Sequence, residues 1–292
     1  MFDEYAIDPA SFESWQDVRY IVEKFSWEQG RLLSRFPKAW PKLVIEQFKN
    51  ARPLEKARVT ETLAQVRTAL LSRNRSFDPN RPWASNAIRS HEQESPFQAI
   101  ISPEIEYEIG IKPEDLSDTH DLFRSSTGAI VRRDADEIIG ALKLAILVSR
   151  KILVIDPHFN PGIRRFNNTA IRLIEELAQR SDLECVDLQF HFSDTIPLET
   201  LKRDIERRLV RHIPNDLSVS FFQWDKPLHN RYILTEKVGV LLGTGIDEAS
   251  GVTYTQEDDI RILDRDTLDH WSESFKSPEK EALRSLSWPF GP

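Results

Sequence analysis

From residue 134 onward the chain alternates short, wholly apolar runs with stretches that place apolar residues every three or four positions. In Lys151-Ile152-Leu153-Val154-Ile155-Asp156-Pro157 no polar residue interrupts 152–155, so that strand is buried on both faces and ends at a proline. Asp134 and Glu137 make an N-terminal capping pair for a helix over 134–149, whose apolar face is Ile138, Leu142 and Ile146. Further helices are predicted over 168–179, 197–211 and 267–275. Strands are predicted over 183–192, 217–223, 229–235, 238–243 and 259–263. Such alternation predicts an α/β domain with a mixed sheet flanked by helices on both faces.

The first half has a different grammar. Apolar residues at helical spacing, broken by prolines, predict helices over 12–25, 27–36, 41–49 and 54–71, the last carrying Val59, Leu63, Val66 and Leu70 on one face. Residues 88–127 hold no sustained period and read as irregular connection. The expected organisation is a mainly helical N-terminal domain over 1–127, suited to docking a partner or substrate, and an α/β domain over 128–292. A chain of 292 residues is long enough for two such cores.

Composition narrows the chemistry. Cys185 is the single cysteine, which rules out a disulfide framework or a cysteine-built zinc site within one chain. A formal charge of -8 argues against a protein that coats nucleic acid without preference, while leaving room for a local basic groove. The acidic start Met1-Phe2-Asp3-Glu4-Tyr5 lacks a secretory pattern, and no apolar run approaches the roughly 18–20 residues of a membrane span. A cytoplasmic protein that does not enter membranes is expected.

The chemistry-bearing stretch is Leu228-His229-Asn230-Arg231-Tyr232-Ile233-Leu234-Thr235-Glu236, followed by Gly243-Thr244-Gly245-Ile246-Asp247. In an extended strand, side chains two apart share a side, so His229 and Arg231 would point together as a nucleophile or acid/base beside a permanent cation. Phosphodiester cleavage needs that pairing, because cationic donors stabilise the charge that develops on the phosphate oxygens. Gly243 and Gly245 would let the backbone approach an anion, with the Thr244 hydroxyl as a further donor. Glu236 would orient a histidine. His158 and Asn160, just past a strand end, could line the same crevice or simply form a turn.

This spacing resembles the HxK(x4)D(x6)GSxxN motif of the phospholipase D-like (HKD) superfamily. Arg231 stands for the lysine, Glu236 for the aspartate, Thr244 for the serine and Asp247 for the asparagine. The resemblance spans about 134–276 and includes the strand 152–155 running into Asp156-Pro157-His158-Phe159. It implies a phospholipase D-like fold, no metal and no cofactor. Because the chain carries one motif, it also implies a homodimer whose two His229 residues meet at a two-fold axis, one forming a phosphohistidine and the other protonating the leaving group. The substitutions are not neutral: an aspartate at 247 would set negative charge beside a phosphate unless it is paired.

Two readings stay open at this stage. One is a phosphodiesterase or nuclease acting on nucleic acid, similar in layout to single-motif proteins of prokaryotic genome defence. The other is a catalytically inactive phospholipase D-like scaffold that binds nucleic acid or a protein partner. Hydrolysis of phospholipids or nucleotide conjugates is a third possibility. Basic residues such as Arg52, Arg58 and Arg67, or Arg207 and Arg208, fit a phosphate-binding stripe or a solvated helix face. Glu257-Asp258-Asp259 reads as a surface run, and His191 and His212 as structural or surface residues.

Overall fold

The structure is a computed structural model, and it describes residues 1–124, 126–249 and 256–288. The chain divides into two compact units, Phe2–Thr127 and Gly128–Pro292.

In the first unit helical residues outnumber strand residues, as expected. Its helices nevertheless accompany a five-stranded, all-parallel sheet that the sequence reading lacks. The strands are β1 (Asp3–Ile7), β2 (Arg31–Ser34), β3 (Leu70–Leu71), β4 (Ala99–Ile101) and β5 (Gly110–Ile111), in the order β3-β2-β1-β4-β5. The helices are α1 (Trp15–Val22), α2 (Trp40–Gln47), α3 (Pro53–Gln65) and α4 (Trp83–Gln93). Ser14 and Asp17 cap the start of α1 reciprocally, and Pro53 begins α3 where its missing N–H has no helical partner. Three expectations need correction. The predicted helix over 27–36 contains β2, the one over 54–71 ends at Gln65 with Leu70 in β3, and the supposedly irregular 88–127 contains most of α4 and both β4 and β5. Leu32 and Leu33 are fully buried, and so short an apolar pair suits either period.

The second unit is the α/β layer structure that the alternation predicts. Its strands are β6 (Gly128–Arg132), β7 (Lys151–Ile155), β8 (Asp187–Phe192), β9 (Ser218–Gln223), β10 (Tyr232–Thr235), β11 (Gly239–Leu242), β12 (Glu257–Ile262) and β13 (Arg284–Trp288). They form one sheet in the order β13-β9-β8-β7-β10-β11-β12-β6. The β7, β8 and β9 strands run parallel, and every other pairing is antiparallel, so the sheet is mixed.

The parallel strands are joined by α6 (Arg164–Leu177) and α7 (Leu198–Arg208), while α5 (Ala135–Val148) packs on α6. Asp134 caps α5 by accepting the Glu137 N–H at 2.9 Å. On the other face α8 (Arg265–Ser274) covers Leu153, Ile155, Tyr232 and Leu234 through Leu268, with Phe275 just beyond it. A short α9 (Pro278–Glu281) precedes β13. Alternation along β7 therefore sends Leu153 and Ile155 towards α8, and Ile152, Val154 and Asp156 to the opposite side. No helix among the described residues is long and apolar enough to cross a membrane.

Candidate functional site

The end of β7, the start of β10 and the segment after β11 lie at one edge of the second sheet, beyond the carboxyl ends of its parallel strands. Ligands of open α/β sheets gather at such an edge. Asp156 follows β7 and is almost completely buried. Its carboxylate accepts the His158 N–H at 3.0 Å and the Ile246 N–H at 3.1 Å, tying the β7 turn to the loop after β11. Burial raises its pKa above the usual carboxylate range, against the lowering effect of those two N–H groups and of the nearby Arg231.

Gly245 sits over this carboxylate with φ +107°. A Cβ there would collide with Asp156 Oδ2 and stand 2.9 Å from Arg231 Cδ. Only glycine admits that backbone at that approach. The Arg231 guanidinium is half-buried beside Asp156 and makes no hydrogen bond or ion pair with the described residues.

The neighbouring Asp247 carries the charge that the sequence made suspicious, and it is paired. Arg133 Nη2 lies 2.9 Å from Asp247 Oδ1, and Arg165 Nε lies 3.2 Å from Oδ2. Arg133 and Asp247 are both buried, and breaking a buried ion pair by removing one member is costly. At the head of the same loop, the Thr244 N–H donates to Asp258 Oδ1 at 3.0 Å, and a Cβ on Gly243 would meet that oxygen at 2.6 Å. The Thr244 hydroxyl and Asp258 Oδ2 are buried without a partner among the described residues.

The remaining expected residues lie elsewhere. Strand β10 begins at Tyr232, so His229 and Arg231 precede it and strand alternation does not align them. His229 is exposed and has no hydrogen-bond partner among the described residues. It lines a pocket of about 280 Å³ with Ile155, Asn230, Tyr232, Trp271 and Phe275, on the α8 side of the sheet. Arg231 is not among the residues that line that pocket and lies instead beside Asp156.

Glu236 lies past the other end of β10. There it accepts the N–H groups of Arg150 and Lys151 at 3.0 Å and 3.1 Å, at the start of β7. The strand separates it from His229, and its side chain bonds no histidine among the described residues. His158 is exposed and faces Asp194 at 3.2 Å, and Asn160 accepts the Gly162 N–H at 2.8 Å within its own turn.

Three contributors escaped the sequence reading. Neither Arg133 nor Arg165 had a motif around it. Asp258 was taken as part of a surface run, yet it is buried while Glu257 and Asp259 are exposed. The signal was present, since Asp258 shares a strand face with the fully buried Ile260. His191 is structural, as expected: it is fully buried and accepts the Trp224 indole N–H at 3.2 Å. No group of three or more His, Cys, Asp or Glu residues among those described could hold a metal ion.

No family model matches the chain, and no curated protein matches it. Solved structures give distant likenesses. The archaeal chromatin protein TrmBL2, whose structure is described as showing a novel mode of DNA binding, aligns over 54% of this chain and 54% of its own, at 12% identity and TM-score 0.33. The polyphosphate kinase of Porphyromonas gingivalis aligns over 53% of this chain and 26% of its own, at 14% identity and TM-score 0.36. Nuc of Salmonella typhimurium, a phospholipase D family member, aligns over 55% of this chain and 97% of its own, at 8% identity and TM-score 0.36. The chain thus spans about half of the first relative and a quarter of the second. Likenesses this distant decide neither family nor activity, and what the second unit can do rests on its own geometry: a mixed sheet flanked by helices, with a carboxylate-laced loop at its edge.

Proposed function

We propose that the second unit is a phospholipase D-like binding module for nucleic acid, in which one chain's variant motif braces a loop instead of cleaving phosphodiesters. The supporting observation is that side-chain carboxylates already occupy the places a phosphate would need. Asp258 takes the Thr244 N–H, Asp156 takes the Ile246 N–H, and Asp247 engages Arg133 and Arg165. A phosphate entering this loop would meet three carboxylates and would have to displace one of them, which is electrostatically unfavourable. Glu236, the expected orienting group, holds backbone at the far end of β10. Nucleic acid is favoured as the ligand because the Arg231 and His229 side chains make no hydrogen bond with a described residue at the sheet edge, and Arg207 and Arg208 are exposed on α7. The N-terminal unit is assigned partner or substrate docking.

A second reading is favoured by one specific observation. His229 is exposed and has no hydrogen-bond partner among the described residues, so a second copy of the chain could present its own His229 to the same phosphate. One experiment separates the two. Full-length protein is incubated with DNA and RNA in EDTA, with binding followed by salt titration and association state by sedimentation. The binding module predicts salt-sensitive binding without cleavage by the parent and by His229→Ala alike, the two differing in affinity alone. EDTA-resistant cleavage by a dimer, abolished in His229→Ala, would establish the phosphodiesterase instead.

A further inference from the structure

The pocket beside His229 has features that the loop of carboxylates does not explain. Its volume of about 280 Å³ falls just under the roughly 300–1,000 Å³ of sites for drug-sized ligands, a size suited to one ring system. Ile155 and Phe275 supply apolar lining, while the rings of Tyr232 and Trp271, with centroids 5.3 Å apart and tilted by 43°, give it aromatic walls. Four of the lining residues carry polar side-chain groups: an imidazole at His229, an amide at Asn230, a hydroxyl at Tyr232 and an indole N–H at Trp271. None of these four groups makes a hydrogen bond with a described residue. Lys226 also lines the pocket, with its ammonium 4.5 Å from the Trp224 ring centroid and 4.0 Å from Glu281.

These features discriminate between ring chemistries. A hydrocarbon ring, such as a partner's phenylalanine, would cover the aromatic walls but leave covered polar groups without partners, and such groups are costly to bury unpaired. A nucleobase has a stacking face and also carries donors and acceptors around its edge. Its sugar-phosphate is anionic, which suits a mouth lined by Lys226 and His229. A base inside a duplex presents neither its face nor its pairing edge, so the pocket selects an unpaired one.

We infer that this pocket binds one unstacked base of a single-stranded nucleic acid, packed against the adjoining rings of Trp271 and Tyr232 with its edge read by Asn230 and His229. The inference rests on the reading of the second unit as a nucleic-acid-binding module. It adds a specific demand, preference for single strands that carry bases over strands that lack them.

The test uses the full chain and fluorescence anisotropy at low salt. The probes are a short labelled oligothymidylate, the same strand built from abasic residues, and a duplex. One stacked base predicts that the abasic strand binds roughly 5- to 100-fold more weakly than the intact one. Trp271→Ala and Asn230→Ala should each bring that ratio towards one, and Trp271→Phe should retain most of it. Asn230→Ala, on an irregular segment, keeps the test decisive if the Trp271 variant fails to fold. Equal affinity for intact and abasic strands, or an unchanged ratio in folded Asn230→Ala and Trp271→Ala, overturns the pocket assignment while leaving nucleic-acid binding standing. Absence of binding to any of the three probes overturns both. Competition by N-acetylphenylalaninamide but not by thymidine monophosphate overturns it in favour of a protein side chain.

Discussion

Gly245 and Asp156 are packed so closely that a side chain on the first would run into the carboxylate of the second. The contact joins the loop after β11 to the turn after β7, and the Ile246 N–H fastens it. Gly245→Ala must relieve both the collision and a φ of +107°, which L residues rarely adopt. We predict a loss of about 2 kcal/mol or more in a urea titration. A variant as stable as the parent would mean that the loop has another conformation.

The ion pairs of Asp247 make a sharper prediction through contrast. Asp247→Ala leaves Arg133 in a buried place without the carboxylate it holds, and about 3 kcal/mol of stability should be lost. His229→Ala removes an exposed side chain with no partner among the described residues and should change stability by less than about 0.5 kcal/mol. Chemical denaturation of both variants tests the pair. If His229→Ala proves the more damaging, the placement of that histidine is wrong.

Glu236 tests whether its position in the motif or its position in space governs its role. Its carboxylate holds two backbone N–H groups where the chain enters β7. Glu236→Ala should therefore cost about 0.5–1 kcal/mol, the net worth of exposed hydrogen bonds, and leave nucleic-acid binding unchanged. Binding lost at unchanged stability would return Glu236 to the site.

What could be read from residues alone followed the length of each local signal. The apolar run of β7 and the Asp134-capped α5 span enough positions for one period to exclude the other. Strands β3 and β5 have two residues each, too few to show any period, so the parallel sheet of the first unit was hidden by the helices around it. In the motif the spacing was legible but the geometry was not. Asn230 and Arg231, in the irregular segment before β10, separate His229 from the strand, so the rule that places alternate residues together has no strand to act on. Asp247 was legible as a charge needing a partner, but Arg133 lies 114 residues away and only the folded sheet brings it close.

The buried His191 gives a prediction about acid stability. Burial, helped by the nearby Lys151 charge, lowers its pKa to about 3, well below the 6.5 of a free imidazole. In the folded chain it therefore stays neutral, accepting the Trp224 N–H and lying 3.2 Å from the Gln189 side-chain oxygen. Below pH 6.5 the unfolded chain takes up a proton at this position that the folded chain refuses. The stability this residue contributes is thus present above about 6.5 and is lost as pH falls towards about 3. Between pH 7 and pH 5 the loss should reach about 2 kcal/mol, because each unit of pKa difference carries 1.36 kcal/mol. In His191→Gln a neutral amide can still accept the indole N–H but does not titrate. Urea midpoints of both proteins at several pH values give the slopes. The parent should lose about 2 kcal/mol more than the variant over that interval, and parallel slopes would show that His191 is protonated in the folded state or is not buried.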